Sequence, residues 1–203
     1  MSAAAQPAHA VIEWGWAGSA LEATSGDLHV VVPFEGGALV GLIDGLGHGP
    51  EAAESASTAA SLLEASAGDA VVVLVQRCHE ALRKTRGAVM SLASYRTCGS
   101  SITWIGIGNV DGVLVHSNGK LADAITSRGG VIGYHIPTLR AQTASVTMGD
   151  TLIMTTDGIH SGFTVGLAVD HGPQEIAESI LARFARRSDD AHVVVARYLG
   201  ATP

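Results

Sequence analysis

Short apolar runs punctuated by glycine organise the chain, and two of them end on an aspartate followed at once by glycine. These are Ala38-Leu-Val-Gly-Leu-Ile-Asp44-Gly45 and Thr151-Leu-Ile-Met-Thr-Thr-Asp157-Gly158. Each predicts a buried strand with a carboxylate at its mouth. Ala10 to Ala17 is apolar on both faces and Leu28 to Val32 follows a Gly26-Asp27 turn, so these two segments read as paired strands. Pro33 to Gly37 makes the next turn and Ala38 to Ile43 a third strand. That hairpin brings Asp27 and Asp44 to one sheet edge.

Glu51 to Ala67, rich in alanine and glutamate, begins behind Pro50 and stops at Gly68, which predicts a helix. Asp69 to Lys84 predicts a second, capped by Asp69 and carrying Arg83 and Lys84 in its last turn, although Val71-Val-Val favours a strand locally. From Ser100 the pattern changes to short β runs: Ser100 to Gly108, Gly112 to Ser117, Leu121 to Thr126, Ala141 to Thr147 and Thr151 to Thr156. A third helix spans Pro173 to Arg186, with Ile176, Ala177, Ile180, Leu181 and Phe184 as its core stripe. Val193 to Tyr198 closes the chain as a strand. Hairpin strands with a few long helices predict an α+β fold: a β-sandwich flanked by helices in α-β-β-α layers. No linker divides the 203 residues, 47% of them hydrophobic, so one domain is expected over 1–203 with a core from about 10 to 199.

Charge alters this picture in one respect. The net charge is −7, and no lysine or arginine precedes Arg77; the stretch up to Gln76 holds nine acidic residues, the remainder twelve basic and ten acidic. Such acidity argues against nucleic acid or an anionic membrane as partner. The longest apolar run, Ala70 to Val75, is far too short for a membrane span, and Met1-Ser-Ala-Ala-Ala5 lacks the regions of a signal peptide, so a cytoplasmic protein is expected. Cys78 and Cys98 have no metal-ligand spacing and read as buried thiols. The nine histidines show no HxH or HxxxH pair, which disfavours a histidine-metal enzyme.

Asp27 and Asp44, without a nearby cation in sequence, read either as ordinary turn residues or as carboxylates awaiting a hard divalent metal. Asp157 and the pair Asp189-Asp190 extend the pattern to four acidic positions at strand ends, which favours a carboxylate metal centre. Oxygen-only ligands select Mg²⁺ or Mn²⁺ over zinc and suit activation of a water for in-line attack on a phosphoryl group. Gly106-Ile-Gly108-Asn-Val-Asp111 faintly suggests a nucleotide loop, but a hairpin turn accounts for it.

Taken together, Ser25-Gly26-Asp27, Asp44-Gly45-Leu46-Gly47-His48-Gly49, Gly99-Ser100-Ser101, Gly129-Gly130-Val131-Ile132-Gly133, Gly149-Asp150, Thr156-Asp157-Gly158 and Ser188-Asp189-Asp190 resemble the metal-dependent Ser/Thr protein phosphatases. This is the PPM or type 2C family in its bacterial SpoIIE-like branch, and the resemblance runs from about Trp14 to Tyr198. With no sensor or membrane domain in the sequence, the RsbX-type stressosome phosphatases are the nearest in kind.

The resemblance implies two Mn²⁺ or Mg²⁺ ions, with Asp44 bridging them, the Gly45 carbonyl on one, and Asp157 and Asp189 on the other. Asp27 would bind or orient water, so that Asp44 and Asp27 are the catalytic carboxylates. Asp190 and His192 would lie behind the ligands, and His48 either serves as a general acid or merely fixes its turn. Many relatives carry an arginine near the first strand to grip phosphate; here that region has no basic residue, which implies weak capture of generic phosphoesters and reliance on docking. The implied substrates are phosphorylated STAS-domain proteins of a stressosome-like complex. The rival readings are a phosphatase-like binding module without activity and a small-molecule phosphoesterase.

Overall fold

The computed structural model describes residues 10–125 and 127–200, so Thr126, at the end of one expected strand, and Met1-Ser-Ala-Ala-Ala5, on which the signal-peptide reading rests, lie outside the described residues. Strands β1 (Ile12–Ser19), β2 (Asp27–Phe34) and β3 (Gly37–Gly45) precede helices α1 (Pro50–Ala65) and α2 (Val71–Ala81). Then come β4 (Ala88–Arg96), β5 (Ser101–Ile107), β6 (Asp111–Val115), β7 (Leu121–Ile125), β8 (Ser127–Arg128), β9 (Gln142–Ser145) and β10 (Thr151–Thr155). Helix α3 (Pro173–Phe184) and strand β11 (Ala191–Tyr198) end the fold.

Two sheets result, one ordered β1-β11-β10-β6-β7, the other β2-β3-β4-β5-β8 with β9 also on β5. Between them lies a core that includes Val40, Leu42, Tyr95, Trp104, Leu152 and Val194. Helices α1 and α2 cover the outer face of the second sheet through Leu63, Leu74 and Val75 against Leu39 and Leu92. The stripe Ile176, Ala177 and Ile180 seats α3 on Val193 and Val195 of the first. The four layers are therefore α-β-β-α, because each sheet needs cover on both faces. Among the described residues, no helix is long and apolar enough to cross a membrane.

Several expectations need correction. β1 and β2 are not paired: β1 joins β11 in one sheet and β2 joins β3 in the other, so the β1–β2 loop crosses the sandwich. Helix α2 starts at Val71 behind Ala70 and ends at Ala81, and Asp69 does not cap it but holds Arg77 at 2.5 Å. The Val71-Val-Val run stays helical because Val71, Leu74, Val75 and Cys78 all face the core. Strand β4 was not expected at all, yet it is a central strand. Its continuous burial from Ala88 to Tyr95, with Ser91 and Ser94 among apolar residues, erases the alternation that marks a half-exposed strand. Cys78 is buried as expected, but Cys98 is exposed. The Gly108-Asn109 segment is no hairpin turn; it carries the chain from β5 in one sheet to β6 in the other.

Candidate metal centre

Register alone brings the first two carboxylates together. In the antiparallel β2–β3 pair, Asp27 stands directly opposite Asp44, and Gly45 N–H donates to Gly26 O at 3.1 Å. Helix α1 crosses so close behind Gly45 that an added Cβ would run into the Ala52 carbonyl; only glycine fits here. From the other sheet, Asp157 follows β10 and Asp189 precedes β11, adjacent strands whose ends meet at the same edge of the sandwich. Asp44, Asp157 and Asp189 line one open cleft of about 590 Å³, with Leu21, Leu46, Gly47, His48 and Asn109 among its walls. Asp27 lies buried beneath.

The electrostatics confirm the proximity. Burial pushes the Asp44 carboxyl up to about 8, with further repulsion from Asp27, Asp157, Asp189 and Asp190. Burial likewise lifts Asp27 to about 7, against a hydrogen bond from Thr156 Oγ1 at 2.8 Å that opposes the rise. Asp157 is raised by burial and by Asp189, while Arg186 and an Asn109 Nδ2 hydrogen bond of 2.6 Å pull it back. Among the described residues, no three side chains already close into a metal cage. Four oxygen-bearing side chains instead face one another across a gap, and no donor among the described residues hydrogen-bonds the Asp44 carboxylate. A set of buried to part-buried carboxylates that repel one another, with Asp44 left without a hydrogen-bond donor, suits hard divalent cations accompanied by water.

The remaining expected residues have distinct places. Asp190 points away from the cleft: its Oδ1 and Oδ2 accept the Leu21 and Gly26 N–H groups, each at 2.7 Å, and so tie the β1–β2 loop beside Asp27. His48 lines the cleft and holds Glu22 through Nδ1 at 2.7 Å, both side chains exposed. The ring of His192 is buried: its Nε2 lies 2.9 Å from His29 Nδ1, with Trp16 stacked on it. Its backbone N–H donates to Thr156 Oγ1, the hydroxyl that in turn donates to Asp27. Burial lowers both histidines, to about 4 for His29 and about 3 for His192, so the pair is neutral.

Three contributors escaped sequence reasoning. Thr156, the residue that follows β10, supports Asp27 through its hydroxyl. Asn109 reaches Asp157 from the crossover between sheets; its place beside two glycines was visible, its target was not. Arg86, which follows α2, lays its guanidinium over Gly47 and pairs with Glu51. The cation-free stretch is thus free of cations only in sequence.

A family model described as Stage II sporulation protein E (SpoIIE) matches residues 35–199. The chain belongs to the SpoIIE family, the bacterial branch of the metal-dependent (PPM, type 2C) Ser/Thr phosphatases. Phosphoserine phosphatase RsbX of Bacillus subtilis (strain 168) is 28% identical over 148 residues, covering 72% of this chain and 74% of its own. A solved structure described under the bacterial stressosome, as a modular system adapted to control secondary messenger signaling, is 31% identical, with a TM-score of 0.83 over 92% of this chain and 99% of its own. RsbX in complex with magnesium superposes with a TM-score of 0.84 at 23% identity, covering 96% of this chain and 98% of that one. Family membership makes the chain a phosphatase.

Proposed function

We propose that the chain is a single-domain, cytoplasmic phosphoserine/phosphothreonine protein phosphatase that uses two Mn²⁺ or Mg²⁺ ions and dephosphorylates STAS-domain proteins of a stressosome-like complex. One observation carries the reading: Asp44 of β3, Asp157 after β10 and Asp189 before β11 converge on one cleft with Asp27 of β2 buried beneath, where burial and then the neighbouring carboxylates raise the proton affinity of Asp27, Asp44 and Asp157. The similarity to RsbX and to the stressosome structure supports the substrate class. The magnesium of the RsbX structure supports the choice of metal.

Asp44, with the Gly45 carbonyl, would face one ion and share the other with Asp157 and Asp189. Bound there, the ions supply charge neutralisation and a water of lowered pKa. The chain's own groups do the positioning. Thr156 holds the Asp27 carboxylate by one oxygen and leaves the other for water. Asn109 fixes the rotation of Asp157, and the Asp190 clamp fixes the loop carrying Gly26. The cleft is open, so the energy that places the phosphate comes largely from docking of a folded partner.

The test compares kcat/KM on an intact phosphorylated STAS-domain partner with that on an excised peptide bearing the same phosphosite. A preference of at least about tenfold for the intact partner, abolished by chelator, is expected if docking supplies even ~1.4 kcal/mol. Equal values would eliminate docking, and a preference for phosphotyrosine or a nucleotide would overturn the substrate class.

A further inference from the structure

While Arg186 is the cation that acts on Asp157, Arg86 stands just behind the cleft wall at Gly47, its position fixed from two directions. Its neighbour Gly87 accepts the Leu46 N–H at 3.1 Å, binding the α2–β4 loop to the segment that follows Asp44. Its guanidinium then lies over Gly47, where an added Cβ would stand 2.8 Å from Nη1, and Gly47 is itself a wall of the cleft. The other guanidinium nitrogen, Nη2, pairs with Glu51 in the first turn of α1. Both partners are about half exposed, 49% for Arg86 and 65% for Glu51, so the pair is worth little by itself and opens readily.

We propose that Arg86 receives the phosphoryl oxygens of the substrate, and that Glu51 holds it in reserve as a competing carboxylate. The inference rests on the phosphatase reading above and adds the residue that selects for phosphate. A guanidinium presents a planar fork that matches two oxygens of a phosphate, and a dianionic phosphate outbids a single solvated carboxylate for it. Gly47 is what keeps the path short: any side chain there would stand between the fork and the cleft. Glu51 is the reason the fork does not fall onto the aspartates when no phosphate is present.

The experiment is calorimetric titration of the Mn²⁺-loaded protein with inorganic phosphate, the reaction product. Arg86→Ala should weaken binding about tenfold or more, Arg86→Lys by an intermediate factor, and Glu51→Gln should tighten it about threefold by releasing the competitor. Arg77→Ala, on the Asp69 pair away from the cleft, serves as the control and should leave affinity unchanged. The opposite signs at positions 86 and 51 are decisive. A pair that merely braces the loop would give weaker binding in both variants, and that result overturns the proposal, as does equal affinity in wild type and Arg86→Ala or no phosphate binding in either. Mn²⁺-dependent hydrolysis by the wild type is measured alongside. Its absence would count against the phosphatase reading, while the phosphate affinities decide the role of Arg86 independently.

Discussion

Adjacent residues at the C-terminal motif have opposite duties. Asp189 faces the cleft, whereas Asp190, 5% exposed, spends both carboxylate oxygens on backbone N–H groups of the β1–β2 loop. Asp44→Asn, Asp157→Asn and Asp189→Ala are each expected to lower turnover by at least about a hundredfold, since each removes a charge that would position a metal or the attacking water. Asp190→Ala should cost less in turnover and more in stability, about 2–3 kcal/mol, because it strands two donors. Denaturant unfolding and steady-state kinetics on the same variants separate the two effects. A larger activity loss at Asp190 than at Asp189 would show that their duties are exchanged.

At the scale of elements, the site depends on one close approach, that of α1 to the end of β3. Gly45→Ala would force a methyl into the Ala52 backbone and should cost about 3 kcal/mol or push α1 away, as overpacking does. Gly129→Ala, in the Gly129-Gly130 pair, meets nothing within 4 Å and should stay within about 0.5 kcal/mol of wild type. Thermal melts of the two variants test this contrast, and equal losses would contradict it.

Much of the element plan was legible beforehand. The β2–β3 hairpin with its facing aspartates, the three helices and the layer order all follow from turn chemistry and apolar period. What was not legible came from long range: β4 carries no alternation, the partner of β1 lies near the far end of the chain, and Asn109 and Arg86 reach the site through connections whose targets only the fold defines. Asp150, part of the motif set behind the resemblance, has a structural place instead: just before β10 it accepts hydrogen bonds from Thr147, Ser117 and His116.

For the whole molecule, the two sets of buried titratable groups make opposite demands as pH changes. In chelator, Asp27 and Asp44 keep their protons in the folded protein to about 7 and 8 but lose them near pH 4 once unfolded, so their contribution favours folding at low pH and is lost as pH rises toward 8. His29 and His192 remain neutral down to about 4 and 3, whereas unfolded histidine takes a proton below about 6.5, so their contribution is present above 6.5 and lost on acidification. Two protons on each side nearly cancel between about pH 4.5 and 6.5, and only the carboxylates count above that range. The melting temperature in EDTA should therefore be level up to about 6.5 and fall toward pH 8. With excess Mn²⁺ the carboxylates are ionised in the native state and the histidine limb stands alone, so the melting temperature should rise to about 6.5 and then hold. Superimposable curves with Mn²⁺ and EDTA across this range would contradict a metal centre.

The histidine pair has a consequence of another kind. Trp14 lies 5.6 Å from His29 between ring centroids, and Trp16 lies 4.8 Å from His29 and 5.1 Å from His192. The chain has three tryptophans, and two of the three stand against His29, which lies two residues along β2 from Asp27. Protonated imidazole quenches indole emission where the neutral ring does so weakly, and Trp104 stands apart in the inter-sheet core as an internal reference. Intrinsic fluorescence of the unlabelled protein is thus an optical readout of this buried histidine pair.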